Sequence, residues 1–327
     1  MNSANLAIAS LGGTITMMPS DDDGVVPKLD AQSLVAAIPQ LAAIADVHAT
    51  TLATLPSASL GFDDILSAVQ WARGQVENGV SGIVFAQGTD TLEESAYLFD
   101  LLWDSPIPVI FTGAMRSPGS LGSDGAANLL AATRVALSDG ARDRGALVVF
   151  NELVHAASRV RKMHSSALDA FRSPNFGPLG TVAEGAVVFG ATHRRHAALP
   201  LPSTGGRVAL LECAMDDSGE LIRLAASSGH RGIVLGALGV GHVSTAAAEA
   251  VSDVVNTTTV VFSSRTGSGT TFSHTYGFVG SESDLIRRGA IPAGLLDSRH
   301  ARVLLWLLLA SGCSPERIRD EFALRGN

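Results

Sequence analysis

Three short clusters of glycine and hydroxyl or charged residues each follow an apolar run. Gly12-Gly13-Thr14 follows residues 6–11, Gln87-Gly88-Thr89-Asp90-Thr91 follows residues 82–86, and Gly113-Ala114-Met115-Arg116 follows residues 107–112. A glycine beside a hydroxyl residue lets backbone approach a ligand closely and aims N–H groups at a developing oxyanion. Thr14 is therefore a candidate nucleophile, against the plainer reading of a tight turn capped by a threonine. Thr91, with Glu94 three residues on, reads as a capping box for the helix that follows. That role leaves Thr89 and Asp90 unexplained.

The elements that must position these clusters alternate. Strand-like runs at 6–11, 47–55, 82–86, 107–112 and 146–150 are separated by helix-period segments at 31–38, 62–77, 92–103 and 126–137. Alternation of this kind requires crossovers, and so a mainly parallel sheet covered by helices on both faces. In such a sheet ligands sit at the carboxyl ends of the strands, where the three clusters fall. The pattern weakens past Gly180, and residues 191–206, with their prolines, glycines and small basic cluster, read as a linker. A second alternating unit follows, with strand-like runs at 208–211, 232–235 and 259–263 and helical ones at 245–255 and 299–309. The expected fold is α/β: a larger N-terminal domain over 1–190 and a smaller C-terminal α/β domain over 207–327.

Composition narrows the function classes. At 327 residues, 46% of them hydrophobic and 17% charged, the chain can bury two cores. A net charge of −8 opposes a polyanion, so no nucleic-acid partner is expected. The apolar stretch 303–310 is far short of the roughly 20 residues that cross a bilayer. With no basic leader ahead of residues 6–11, a cytoplasmic location without membrane contact is expected. Cys213 and Cys313 read as free buried thiols. His193 and His196 lack a third metal ligand, and Gly236-Ala237-Leu238-Gly239-Val240-Gly241 lacks dinucleotide spacing, so neither metal nor cofactor is expected.

Residues 8–15, ending Gly12-Gly13-Thr14-Ile15, and 87–96, beginning Gln87-Gly88-Thr89-Asp90-Thr91, resemble the two signatures of the bacterial-type L-asparaginase family. The likeness extends through residues 112–116, Ser123-Asp124-Gly125 with Asn128, and residues 174–180. Residues 301–305 resemble the family's C-terminal helix. The resemblance implies amide hydrolysis. Thr14 attacks the side-chain amide carbon of asparagine, ammonia leaves, and water resolves the acyl-enzyme. It also implies a trio of Thr89, Lys162 and Asp90, in which a neutral lysine serves as base; either Thr14 or Thr89 could be the first nucleophile.

By the same resemblance Asp90 holds the substrate's α-ammonium, Ser57 its α-carboxylate, and the backbone at Gly88 and Ala114 the rest of the amino acid. His242 stands where many relatives carry an asparagine contributed by a neighbouring subunit, and a homotetramer of intimate dimers is implied. The chain departs from the family in having no tyrosine between Thr14 and Leu34, where Asp21-Asp22-Asp23-Gly24-Val25-Val26-Pro27 forms the lid, and in Ala58 after Ser57. Three alternatives stand beside asparagine hydrolysis: a mixed glutaminase-asparaginase, a non-catalytic amino-acid-binding or sensing protein, and a component of an amidotransferase acting on charged tRNA. The last fits less well with a chain that shows neither an extra N-terminal domain nor a basic surface signal.

Overall fold

The computed structural model describes residues 4–20, 24–203 and 205–327. The chain divides into two compact units, Met1–Ala198 and Leu199–Asn327. Segment 191–206, expected as a linker, is split by this division. Ala191 donates its N–H to Leu179 and Arg195 donates to the Trp103 carbonyl, both in the first unit.

The first unit is built on an eight-stranded sheet. Its strands are β1 (Asn5–Gly12), β2 (Asp46–Leu55), β3 (Gly82–Ala86), β4 (Val109–Thr112), β5 (Ala146–Phe150), β6 (Leu153–Ala156), β7 (Gly180–Ala183) and β8 (Ala186–Phe189). Across the sheet they run β8-β7-β6-β5-β4-β3-β1-β2. The five from β5 to β2 are parallel, and β6, β7 and β8 add an antiparallel wing. Every residue of β3, β4 and β5 is buried, as a strand covered on both faces must be. Edge strand β2 instead carries half-buried and exposed residues.

The helices of this unit are α1 (Ala31–Ala36), α2 (Pro39–Ile44), α3 (Phe62–Glu77), α4 (Leu92–Leu102) and α5 (Gly125–Ala136). Asp30 starts α1 by accepting the Ser33 N–H at 2.7 Å, and the Gly61 N–H binds Asp64 at the start of α3. The β7–β8 hairpin and the antiparallel β6 extend the sheet beyond the expected strands. Each is only four residues long, too short for a period to show in the sequence.

The second unit has four parallel strands in sequential order: β9 (Val208–Glu212), β10 (Gly232–Ala237), β11 (Thr259–Ser264) and the two-residue β12 (Ile291–Pro292). They carry α6 (Glu220–Ser227), α7 (Thr245–Val254), α8 (Glu282–Arg287), α9 (Ser298–Ala310) and α10 (Pro315–Arg325). The segment likened to a C-terminal helix is thus α9, and a further helix follows it, started by Pro315 and by the Ser314 hydroxyl that caps it. Cys213 is free and buried, and burial pushes its thiol up to about 12. Cys313, expected buried, is only half-buried. Among the described residues no helix is long and apolar enough to cross a membrane.

Candidate active site

The order of the large sheet reverses at β1: β2 lies on one side of it and β3 on the other. Chains leaving the carboxyl ends of β1 and β3 therefore run on to opposite sides of the sheet, a switch point of the kind at whose crevice open α/β sheets bind ligands. Gly12-Gly13-Thr14 leaves β1 here and Gln87-Gly88-Thr89 leaves β3. Three glycines bring the loops into contact. A methyl group on Gly13 would lie 2.1 Å from the Gly88 Cα, one on Gly88 2.7 Å from the Ser57 Oγ, and one on Gly113 2.3 Å from the Gln87 carbonyl oxygen. Gly12 and Gly13 also take φ of 94° and 86°, a conformation that side chains oppose.

Lys162 enters this crevice from outside the main sheet. It belongs to a two-residue strand, Arg161–Lys162, paired only with Phe171–Arg172. Its Nζ donates to Thr89 Oγ1 at 2.8 Å and to Asp90 Oδ1 at 2.7 Å. The lysine side chain is 13% exposed and the Asp90 side chain 68%, while Thr89 is 5% exposed. A buried hydroxyl, a nearly buried amine and an open carboxylate thus form one hydrogen-bonded chain, with the carboxylate facing solvent. The lysine's backbone is held by the same turn, since its N–H donates to Oε2 of Glu93, a fully buried carboxylate in the first turn of α4.

Ser57 closes another side. It is 3% exposed, its Oγ accepts the Asp90 N–H at 3.1 Å, and its carbonyl accepts the Thr91 hydroxyl at 2.9 Å. Thr91 therefore makes no capping box with Glu94: although it is the N-cap of α4, its side chain makes no cap hydrogen bond. The hydroxyl has a partner from a distant loop, and that tertiary bond displaces the local one. Gln87 braces the turn from below, with its Nε2 donating to Ser95 Oγ at 2.9 Å.

The third loop holds Ala114, which is fully buried. The Asp124 carboxylate accepts the N–H groups of Met115 and Arg116 at 3.0 and 2.9 Å and the Asn128 amide at 3.0 Å. Asn128 also donates to the Gly113 carbonyl at 3.1 Å and accepts the Asn151 N–H. Residues 124 and 128 share one face of α5 across one turn, and that i, i+4 spacing is the signal from which this bracing could have been read. Glu93 gave no such signal, because its partner lies 69 residues away.

Thr14 is half-buried in a short 3₁₀ turn, Thr14–Thr16, and its hydroxyl has no hydrogen-bond partner among the described residues. The first unit thus brings Thr14, Ser57, Gly88, Thr89, Asp90, Ala114 and Lys162 to the ends of neighbouring strands and their flanking loops. His242 belongs to the second unit. There its Nε2 lies 3.2 Å from Glu282 Oε2, and its ring meets the edges of Tyr276 and Phe278 at centroid distances of 4.9 and 5.0 Å. Burial pushes the Glu282 carboxyl up, but the N–H groups of Tyr276 and Thr275 and the His242 ring outweigh it and hold it below the usual range. The expected lid residues Asp21, Asp22 and Asp23 lie outside the described residues. The flanks of that segment, Met17–Pro19 and Val25–Pro27, pair as an antiparallel hairpin.

Comparison with known proteins gives a consistent set of likenesses. A family model described as asparaginase, N-terminal, matches residues 5–195, and one described as glutaminase/asparaginase C-terminal domain matches residues 207–322. The chain is 32% identical over 323 residues to an L-asparaginase of Bacillus licheniformis, covering 97% of this chain and 98% of the relative. It is also 32% identical over 253 residues to a glutamyl-tRNA(Gln) amidotransferase component of Methanosarcina acetivorans, covering 73% of this chain and 59% of the relative. The crystal structure of a probable cytoplasmic L-asparaginase from Campylobacter jejuni superposes with a TM-score of 0.89 at 29% identity, over 98% of this chain and 99% of that one.

Proposed function

The chain belongs to the asparaginase family, and from that premise we propose that it hydrolyses the side-chain amide of L-asparagine to aspartate and ammonia through a threonine acyl-enzyme. The observation that carries this reading is the bond of Lys162 Nζ to both Thr89 and Asp90, beside the glycine loop that bears Thr14. Asp90 has an exposed carboxylate for the α-ammonium of a free amino acid, a charge-assisted contact that a peptide-bonded residue cannot make. Acting as base in its neutral form, the Lys162 amine takes the Thr89 proton, Thr89 takes the Thr14 proton, and the Thr14 oxygen bonds to the amide carbon. As the C–N bond breaks, Lys162 gives its proton to the nitrogen, which leaves as ammonia, and water then adds to the acyl-threonine, releasing aspartate and restoring the Thr14 hydroxyl. Ser57 and the backbone at Gly88 and Ala114 hold the remaining groups of the amino acid.

The exposed Phe272, Tyr276 and Phe278 of the second unit support the further reading that the chain assembles as a homotetramer, with His242 completing a neighbour's site. A second activity, supply of ammonia from an amide within an amidotransferase, is favoured by the likeness to the Methanosarcina amidotransferase component.

Ammonia release from asparagine and from glutamine by the purified chain separates the readings. Turnover of free asparagine without any partner supports the proposal, and comparable turnover of glutamine broadens it to a mixed enzyme. Binding without turnover assigns a sensing role. Thr14→Ala and Thr89→Ala, followed by mass spectrometry for a trapped acyl group, identify which hydroxyl attacks.

A further inference from the structure

We infer that the hydroxyl of Thr16 is a positioning group for Thr14, holding the Gly13–Thr14 peptide in one orientation and tying it to the return of the hairpin; this rests on the amide-hydrolysis reading above. Thr16 is fully buried. Its Oγ1 donates to the Gly13 carbonyl at 2.8 Å and its N–H to the same oxygen at 2.9 Å. Its own carbonyl accepts the N–H groups of Lys28 and Leu29 at 2.9 and 3.0 Å. One residue thus holds the turn bearing the candidate nucleophile on one side, and on the other the chain returning from Val25–Pro27.

The need for such a tether follows from the two glycines. Gly12 and Gly13 carry the greatest backbone freedom available to the chain, and they stand immediately before Thr14. Because a peptide is planar and trans, fixing the Gly13 carbonyl fixes the Thr14 N–H in the opposite direction and sets where the Thr14 Cα leaves the plane. The Thr16 N–H alone leaves that carbonyl room to tilt, and a second donor to the same oxygen narrows it. Reaction rates are sensitive to displacements of about 1 Å in a reacting group. Thr16 touches none of the candidate reacting groups itself and acts through Gly13.

The test compares Thr16→Ser with Thr16→Ala, which differ by the hydroxyl alone, and adds Thr16→Val, which keeps the shape and loses the hydroxyl. The expected result is a loss of about ten-fold or more in kcat for Thr16→Ala and Thr16→Val with KM within about two-fold, while Thr16→Ser stays within about three-fold of the parent. Full kcat in Thr16→Val, or equal losses in Thr16→Ser and Thr16→Ala, overturns the inference and leaves amide hydrolysis intact. If the parent chain releases no ammonia, the function reading fails instead. Amide exchange at Thr16 and Met17 then judges the tether by itself: faster exchange in Thr16→Ala than in Thr16→Ser supports it, and equal exchange overturns it.

Discussion

The two units use the same materials, parallel strands and covering helices, but order their strands differently. In the first unit the order turns back at β1, so the chains leaving β1 and β3 touch at Gly13 and Gly88 and then run to opposite sides. In the second the strands β9 to β12 lie in sequential order, with no reversal among them. A switch-point crevice arises only where successive crossovers go to opposite sides. Tight glycines occur in both units, methyl groups on Gly280 and Gly294 of the second lying 2.4 and 2.2 Å from backbone oxygens, but the glycines beside the strand ends differ. Gly13, Gly88 and Gly113 are each pressed against a neighbouring loop, whereas Gly236 in β10 has room for a methyl group, which would meet its nearest neighbour at 3.6 Å. On the proposed function, strand order marks the first unit as the one that carries the chemistry.

The severest test of that contrast is Lys162→Met. It removes the amine that donates to both Thr89 and Asp90, and kcat for ammonia release is expected to fall about 10³-fold with the melting temperature little changed. Near-parental kcat would remove Lys162 from the mechanism. Next comes a pair of glycine substitutions. Gly13→Ala meets backbone at 2.1 Å and is expected to lower activity about 100-fold, while Gly236→Ala stays within about two-fold; equal losses would erase the distinction between the sheets. A milder effect is expected for His242→Ala, a rise of about three- to ten-fold in KM with kcat nearly kept, as for a residue that contributes binding alone. A large fall in kcat would instead place chemistry in the second unit.

Acid separates the units with the smallest activity effect. His155, 1% exposed on β6 with its Nδ1 on Ser173 Oγ at 2.9 Å, is held down to about 4 by burial, from 6.5. The unfolded chain then binds a proton between pH 6.5 and 4 that the folded chain refuses, so folding weakens as pH falls through that window. Glu282 in the second unit also loses stability towards acid, but in a lower window: its lowered carboxyl lends stability that is present above 4.5 and lost only as pH falls below it. The first unit is thus expected to loosen at a higher pH than the second. His155→Gln should flatten its loss by up to about 3 kcal/mol across the window. Amide exchange followed unit by unit against pH reads the order, and simultaneous loosening in parental and variant chains would refute it.

Much of the frame was legible because burial on both faces demands continuous apolar residues. β3 and β5 follow the runs at 82–86 and 146–150, and α3 follows the period at 62–77. The β7–β8 hairpin was not legible, since two strands of four residues are too short to show a period, and the apolar Ala186–Phe189 is half-exposed at the sheet edge. Thr91 shows the limit for local chemistry: its spacing to Glu94 suits a cap, yet the hydroxyl is taken by Ser57, 34 residues away. Lys162 lies in a basic stretch that reads as surface, and Glu93 within a motif that names no partner for it.

The sequence by itself determined the alternation of elements, the loops that end the strands, and the residue types able to hydrolyse an amide, because periodicity and glycine placement are local properties. Only the tertiary structure decided that Glu93 holds Lys162, that the Thr91 hydroxyl goes to the Ser57 carbonyl, and that Thr16 clasps Gly13 while receiving Lys28 and Leu29. Those choices depend on which donor and acceptor meet when the strand order closes, and a buried polar group takes whichever partner packing brings within reach.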